Sequence, residues 1–264
     1  MKTIHIAVLA LIASCAWAQD GERIVVPLTD PSRPASLRAS VMTARIAVKG
    51  YPGKEVIIEA RGHGEKRSKP SAEEASGMHR IEMRGLGFEV EERDNVVRIN
   101  GGIASKLDLE IQLPANSSVN LEAVNNSLSV DGISGEIDLS GVNGGISVTN
   151  VSGPVLAHCV NGTIKADFAG VPSGKPMSFS TLNGTIDVTF PADTKANLKL
   201  KTENGDVFTD FDLLVKGGPS GQSDRSGSGY KIKFDKGLYG TINGGGPEMQ
   251  FTTMNGKIYI RKRK

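Results

Sequence analysis

The sequence predicts an all-β protein: an irregular antiparallel β-region followed by a β-solenoid. Three observations lead to this prediction. A nine-residue pattern repeats without a slip from Ala115 to Phe168. Aromatic residues make up only 5% of the chain, which has 32 glycines and many Val, Ile, Ser, Thr and Asn, a composition typical of strands and tight turns. Before the repeat, apolar and polar residues alternate at irregular spacing.

Residues 1–18 have the features of an export signal. Lys2 supplies a short positive region, residues 4–13 are largely apolar, and residues 16–18 (Ala-Trp-Ala) offer the small residues that a signal peptidase reads. The apolar run is shorter than the ~20 residues of a membrane-spanning helix. We expect cleavage after Ala18 and a location in the periplasm, on the outer surface or outside the cell. The alternative is a lipid anchor on Cys15, since residues 12–15 also resemble a lipobox.

Charge and cysteine content exclude several protein classes. The formal net charge is +2, so no strong attraction to nucleic acid is predicted. No later run is apolar enough to predict a transmembrane span. Cys159 is the only cysteine outside the signal, so the core must hold together without a disulfide framework. The basic residues 261–264 are interpreted as a solvated end, with contact to an anionic envelope polymer as the alternative.

Residues 19–114 are predicted to form an antiparallel β-region that abuts or caps the solenoid. Its alternating segments include RIVVPL, KEVIIEARG and KLDLEIQLP, and alternation of this kind is typical of half-buried strands. A polar stretch between Gly62 and Met78 is predicted to be a mobile loop.

The repeat consists of six lines of nine residues, each predicting one strand and one turn. The lines are ANSSVNLEA, VNNSLSVDG, ISGEIDLSG, VNGGISVTN, VSGPVLAHC and VNGTIKADF. The first, fifth and seventh columns are apolar, and positions five and seven point to one face of a strand. Asn-Gly or Ser-Gly at positions two and three supplies residues that tolerate a positive φ.

The constant frame favours a coil that advances by a fixed step over a series of hairpins. Asn-Gly lines alternate with Ser-Gly lines, which favours a flattened coil of two lines, or 18 residues. A coil of three lines remains open. Each line buries only two or three apolar groups, so stacking of coils must build the core.

The solenoid is predicted to extend over residues 115–264 with interruptions. The pattern returns in the lines that begin at Leu182, Glu203 and Met254, and a degenerate copy begins at Ile242. Residues 169–177 are predicted to be a loop, and the Gly/Ser-rich residues 217–229 a flexible insertion.

These motifs, in this order, resemble a known family. The segments that carry the resemblance are VPLTDPSRPASLRASVMTARIAVKGYPGKEVIIEARG, VNGGISVTNVSGPVLAHCVNGTIKADF and MSFSTLNGTIDVTFPADTKANLKLKTENGDVFTDFD. They resemble the exported bacterial β-solenoid domains known as the putative-adhesin family, a domain of unknown function. The resemblance covers most of the chain after the signal. It implies a β-solenoid fold and an envelope location, and it supplies no catalytic residue.

The adjacent His158 and Cys159 suggest a thiol–base pair or a zinc site. Neighbouring residues of a strand point to opposite faces, so the two side chains cannot form a hydrogen-bonded dyad. Two further ligands at zinc spacing are not visible in the sequence. We therefore interpret Cys159 as a small residue at a corner of the coil.

The sequence also offers candidate calcium and carboxylate sites. Calcium-binding nonapeptide repeats carry an Asp column, which corresponds here to Ser129, Asp138, Ser147, Leu156 and Lys165. Leucine and lysine cannot ligate calcium, so no calcium site is predicted. The remaining candidates are interpreted as solvated residues: Glu136, Asp138, Asp187, Glu203, Asp206 and Asp210, with His63 and His79 near the polar loop.

The predicted function is that of a non-enzymatic, exported cell-envelope protein, an adhesin or surface-binding scaffold. We expect no catalytic, cofactor-binding or metal-binding residue, and as partner an envelope polymer or surface protein of unknown identity. One alternative is a carbohydrate-active solenoid enzyme with a cryptic carboxylate site, and another is an envelope-stress accessory protein. A carboxylate cluster on one face would favour the enzyme, whereas a flat ladder of Ser, Thr and Asn would favour binding.

Overall fold

The computed structural model describes residues 22–62, 87–101, 106–125, 127–215, 222–226, 229–233 and 237–264. The predicted signal peptide and its two alternative processing sites lie outside the described residues. So do the polar stretch after Gly62, His63 and His79.

The regular secondary structure of the described residues consists of strands, without a helix. The strands are β1 (Glu22–Pro27), β2 (Ser36–Tyr51), β3 (Glu55–Gly62), β4 (Phe88–Arg93), β5 (Val96–Gly101), β6 (Lys106–Pro114), β7 (Ser118–Asn125), β8 (Leu128–Asp131), β9 (Ile137–Asn143), β10 (Ile146–Val151), β11 (Val155–Asn161), β12 (Ile164–Phe168), β13 (Met177–Asn183), β14 (Ile186–Phe190), β15 (Ala196–Asn204), β16 (Val207–Thr209), β17 (Leu214–Val215), β18 (Gln222–Ser226), β19 (Gly229–Lys233), β20 (Leu238–Ile242), β21 (Glu248–Asn255) and β22 (Ile258–Lys262).

Each coil of the solenoid contains two strands, as predicted. Ile137 pairs with Val155 in parallel, and Ile146 pairs with Ile164. Both partners are one two-line coil of 18 residues apart, so the three-line coil is excluded. We call the layer that contains β7, β9, β11, β13, β21 and β15 the front layer, and the layer that contains β8, β10, β12, β14, β22 and β16 the back layer.

The coils do not stack in the order of the sequence. The coil β21–β22 lies between the coils β13–β14 and β15–β16, and it pairs in parallel with both. On its other edge, β15 pairs in antiparallel fashion with β20, which also pairs with β17. The last described coil of the chain is therefore an internal coil of the stack.

The N-terminal region differs in part from the prediction. The expected antiparallel pairing is found between β1 and β3, β3 and β6, and β4 and β5. It is wrong for β2, which pairs in parallel with β5 and β7 in its first half and with β6 and β8 in its second half. Because β2 is 16 residues long, it contributes to both layers, and the sheet continues across the predicted boundary at residue 114.

The fifth and seventh columns form the core, as predicted. Their members are all buried: Val119, Leu128, Ile137, Ile146, Val155, Ile164, Leu121, Val130, Leu139, Val148, Ala157 and Ala166. Farther along the stack, four phenylalanine rings fill the interior. Phe168 stacks on Phe190 at 4.9 Å and Phe179 on Phe251 at 5.1 Å, measured between ring centroids.

The first column behaves differently at the two kinds of corner. At the Ser-Gly corners, Gly132 and Asn150 adopt a positive φ of 70° and 53°. This left-handed residue interrupts the alternation, so the apolar side chain that follows turns inward, and Ile133 and Val151 are buried. At the Asn-Gly corners the strand continues as far as Asn, so the alternation holds and Val142 is exposed.

Two of the later sequence interpretations also change. The degenerate line from Ile242 is not a coil. It ends β20 in a tight turn, in which the Gly245 N–H donates to the Ile242 carbonyl and Asn243 has a positive φ of 48°. The predicted flexible insertion 217–229 contains β18 and the first residue of β19, which pair as an antiparallel hairpin. The loop predicted at 169–177 is found, and β13 begins at Met177.

Candidate functional surface

A ladder of asparagine side chains runs along one edge of the stack. Its members, the asparagine ladder, are Asn125, Asn143, Asn161, Asn183, Asn255 and Asn204, in spatial order. Except at Asn125, which only accepts, each Nδ2 donates to the Oδ1 of the preceding member at 2.7 to 3.1 Å. An amide has both a donor and an acceptor, so each inner asparagine makes one bond to each side. The ladder is exposed and continues through six coils.

The glycines that follow the ladder make the close stacking of coils possible. A Cβ on Gly162 would lie 1.9 Å from the carbonyl oxygen of Gly144, and a Cβ on Gly184 would lie 1.9 Å from that of Gly162. No side chain fits at these distances. The Asn-Gly pair is thus a structural unit, because the asparagine bonds to the neighbouring coil and the glycine lets that coil approach.

Cys159 occupies a structural position inside this corner. It pairs with Gly141 on one side and Thr181 on the other. Its Sγ lies 3.1 Å from the carbonyl oxygen of Gly144, to which it donates, and Thr181 donates in the same way to Gly162 at 3.2 Å. The thiol of Cys159 thus makes the bond that the hydroxyl of Thr181 makes in the next coil. This agrees with the interpretation of Cys159 as a small corner residue.

The environment of Cys159 also opposes a nucleophilic role. The side chain is fully buried, and burial raises the pKa of its thiol, although a backbone N–H bond from Asn161 opposes the rise. A reactive cysteine needs the opposite change, a lowered pKa and access. His158 points outward and is exposed, so the two side chains lie on opposite faces of β11.

The residues that correspond to the Asp column of calcium-binding nonapeptide repeats do not form a single row here. Asp138 and Leu156 lie in the front layer, whereas Ser129, Ser147 and Lys165 lie in the back layer. Successive lines therefore face opposite sides of the molecule. Within the described residues, no three His, Cys, Asp or Glu side chains are placed to hold a metal ion.

Three carboxylates face the same depression on the front layer. Glu122, Glu136 and Asp138 line it together with Arg38. Asp138 accepts a hydrogen bond of 3.1 Å from Asn120 of the neighbouring coil, and Glu136 lies 3.8 Å from the Lys175 ammonium. Glu136 and Asp138 are close together in the sequence, because they belong to the same line of the repeat. Glu122 was missed because it lies in a neighbouring coil.

Three of the four other candidate carboxylates interact with groups of the chain. Asp187 accepts two bonds from the Arg261 guanidinium, at 2.7 and 3.3 Å, and this interaction raises the pKa of Arg261. Asp210 accepts from the Lys262 backbone N–H at 2.6 Å. Glu203 lies 3.5 Å from the Lys201 ammonium. Asp206 is exposed at the turn before β16.

The basic residues 261–264 are not simply a solvated end. Arg261 and Lys262 belong to β22, and the Arg263 guanidinium donates to Asp167 at 2.9 Å. Asp187 and Asp167 of the back layer thus form ion pairs with arginines at the end of the coil β21–β22. We call this coil the inserted coil, because it lies between two coils that precede it in the sequence.

Aromatic residues form a small outward cluster that the sequence analysis missed. Phe208 and Tyr259 are stacked at 5.0 Å on the outside of the back layer, and the Arg261 guanidinium lies 4.8 Å from the Tyr259 ring centre. The available signal was the occurrence of both residues at outward positions of their lines. Because Phe208 belongs to β16 and Tyr259 to β22, the stacked pair joins two coils.

The outward rows of residues 115–168 are otherwise regular and mostly polar, with Leu156 as an exposed apolar member. The front rows contain Asn120, Asp138 and Leu156, and Glu122, Ser140 and His158; the back rows contain Ser129, Ser147 and Lys165, and Asp131, Thr149 and Asp167. Equivalent residues repeat at the strand spacing of about 4.8 Å.

The described part of the chain has no helix with the length and hydropathy of a membrane span.

A comparison with protein families matches the family described as Toastrack DUF4097 over residues 88–258. The chain belongs to this family. The matched part of this Toastrack protein begins at β4 and ends at the first residue of β22. It includes most of the inserted coil and excludes β2, which pairs with strands of the matched part on both of its edges.

Two solved structures align with most of this chain at low sequence identity. A putative cell adhesion protein from Clostridium sporogenes aligns with 12% identity and a TM-score of 0.46, covering 92% of this chain and 100% of that one. A putative adhesin from Bacteroides fragilis aligns with 12% identity and a TM-score of 0.41, covering 93% and 98%. Among curated proteins, no sequence matches this chain.

Proposed function

We propose that this Toastrack protein is a non-enzymatic, exported envelope protein that binds an envelope polymer or another surface protein through its polar faces. The observation that carries the proposal is the regular outward array: a six-asparagine ladder beside rows of mostly polar side chains, to which each coil contributes one residue per row. Such an array suits weak contacts that become strong when many act together.

The state of the candidate catalytic groups supports the same proposal. The thiol is buried and donates to a backbone carbonyl. Asp187 and Asp210 accept hydrogen bonds that join neighbouring coils. A catalytic acid or base must instead be available to a substrate at hydrogen-bond distance.

Binding can be tested with purified protein and isolated cell-envelope material in a sedimentation assay. Ser140 and Thr149 are exposed on the front and back layers of residues 115–168. We expect Ser140→Arg or Thr149→Arg to weaken binding by about tenfold, the equivalent of 1.4 kcal/mol. Glu55→Arg, at an exposed position near the N-terminal edge of the stack, is the matched control and should bind like the wild type. Equal binding by all four proteins would contradict the proposed surface.

The depression of Glu122, Glu136 and Asp138 supports one alternative, a carbohydrate-active enzyme. A glycosidase needs two carboxyl groups about 5 to 10 Å apart, and this depression has three on one face. Turnover of a panel of polysaccharides should be measured for the wild type and for the double variant Glu136→Ala/Asp138→Ala. Turnover that the double variant loses would replace the binding proposal with the enzymatic one.

A further inference from the structure

The asparagine ladder contains five Asn-Gly dipeptides, which begin at Asn143, Asn161, Asn183, Asn204 and Asn255. The sequence Asn-Gly is chemically reactive because glycine leaves the following backbone nitrogen unhindered. That nitrogen can attack the side-chain Cγ of asparagine. In the first step an N–Cγ bond forms, the Cγ–Nδ2 bond breaks and ammonia leaves, giving a succinimide. Water then adds to either ring carbonyl, giving aspartate or isoaspartate without any redox change.

Four of the five dipeptides are held in a way that opposes this attack. The N–H groups of Gly144, Gly162, Gly184 and Gly256 each donate to the backbone carbonyl of the matching asparagine in the next coil, all at 3.0 Å. The preceding asparagine side chains each donate to one neighbour and accept from the other. The nucleophile and the electrophile of each pair are therefore both engaged in hydrogen bonds.

Asn204–Gly205 is different because it lies in the last coil of the stack. The Asn204 amide donates to Asn255 at 2.8 Å, but no further ladder asparagine follows it to donate to its own Oδ1. Among the described residues, the Gly205 N–H has no acceptor. The strand that follows, β16, has three residues and pairs only with β22 within the described part of the chain. Both residues of the dipeptide are exposed.

We propose that Asn204 is a site of spontaneous deamidation and that the stacking of coils protects the other four Asn-Gly pairs of the ladder. Each protected pair must break two more hydrogen bonds than Asn204 before the attack can occur. A bond of this kind is worth on the order of 1 kcal/mol, and 1.36 kcal/mol corresponds to a tenfold change in rate. Asn204 should therefore react at least about tenfold faster than Asn161 or Asn183.

The modification would also change the ladder. The carboxylate formed at position 204 has no N–H, so it cannot donate to the Asn255 Oδ1. A negative charge would appear between Glu203 and Asp206 at this end of the stack. Deamidation therefore removes the outermost side-chain bond of the ladder and makes this end more acidic.

The test is peptide mapping by mass spectrometry after incubation of the folded protein at mildly alkaline pH. We expect conversion to aspartate and isoaspartate first at position 204, with Asn161 and Asn183 converting at least about tenfold more slowly. In denaturant, where the stacking is lost, the three rates should become similar. Conversion of Asn161 or Asn183 in the folded protein as fast as Asn204 would overturn the proposal.

Two matched variants check the site that the peptide map assigns. Asn204→Gln replaces the reactive amide with one that cyclises far less readily, so the acidic form that the map assigns to position 204 should disappear from isoelectric focusing. Asn161→Gln should leave that acidic form unchanged. If the form assigned to position 204 still appears at the wild-type rate in Asn204→Gln, the proposal is overturned.

Discussion

The position of the inserted coil can be tested at Phe251. Its ring is fully buried, stacks on Phe179 at 5.1 Å and meets Phe190 edge-on at 6.5 Å. Phe179 and Phe190 belong to the coil β13–β14, and on the other side Phe251 pairs with Leu200 of β15. Phe251→Ala removes a ring that both neighbouring coils enclose. Buried Phe→Ala substitutions typically cost about 3–5 kcal/mol, through lost transfer free energy and the cavity left behind.

Tyr259 provides the matched control in the same coil. It points outward and stacks on Phe208 at 5.0 Å, so Tyr259→Ala should lose about 1 kcal/mol, the value of one exposed aromatic pair. The assay is urea unfolding followed by far-ultraviolet circular dichroism, with the free energy of unfolding extrapolated to water. If Phe251→Ala destabilises the protein no more than Tyr259→Ala, the inserted position of the coil is refuted.

Three further predictions concern the repeat itself. Ile146→Asp places an unpaired charge in the core and should lower the free energy of unfolding by several kcal/mol or prevent folding. Ser147→Asp, one residue away on the outward face, should lower it by less than ~1 kcal/mol. Equal shifts in Tm for the two variants would show that the assigned register is wrong. Cys159→Thr should keep the free energy of unfolding within ~1 kcal/mol of the wild type, because a hydroxyl can also donate to Gly144, and Cys159→Val should be less stable because it cannot donate. In the folded wild type the thiol should resist alkylation until denaturant is added, and rapid labelling of the native protein would contradict its burial.

Much of the coil was predictable from local pattern. Alternation with a period of two identifies the buried side chains of a strand wherever the backbone stays extended, and it placed Ile146 and Val148 correctly. It failed in the first column, because a positive φ at Gly132 and Asn150 reverses the side that the next residue faces. For the candidate surface, the sequence predicts which types of residue face outward, but not which of them lie next to each other. The depression at Glu136 needed Glu122 of the neighbouring coil, and side chains on different coils meet only after stacking.

The sequence by itself determined the coil: its two strands, its 18-residue step over residues 115–168, its buried columns and the Asn-Gly corners. These are local properties, because each depends on residues within one line or its neighbour. Only the tertiary structure decided the order of the coils. Asn204 follows Asn183 at nearly the spacing of 22 residues that separates Asn183 from Asn161, so the sequence favours direct stacking of those two coils. The structure places Asn255 between them. Every coil presents the same backbone edge and the same asparagine, so pairing alone cannot choose a neighbour, and the choice depends on interior contacts such as Phe251 with Phe179.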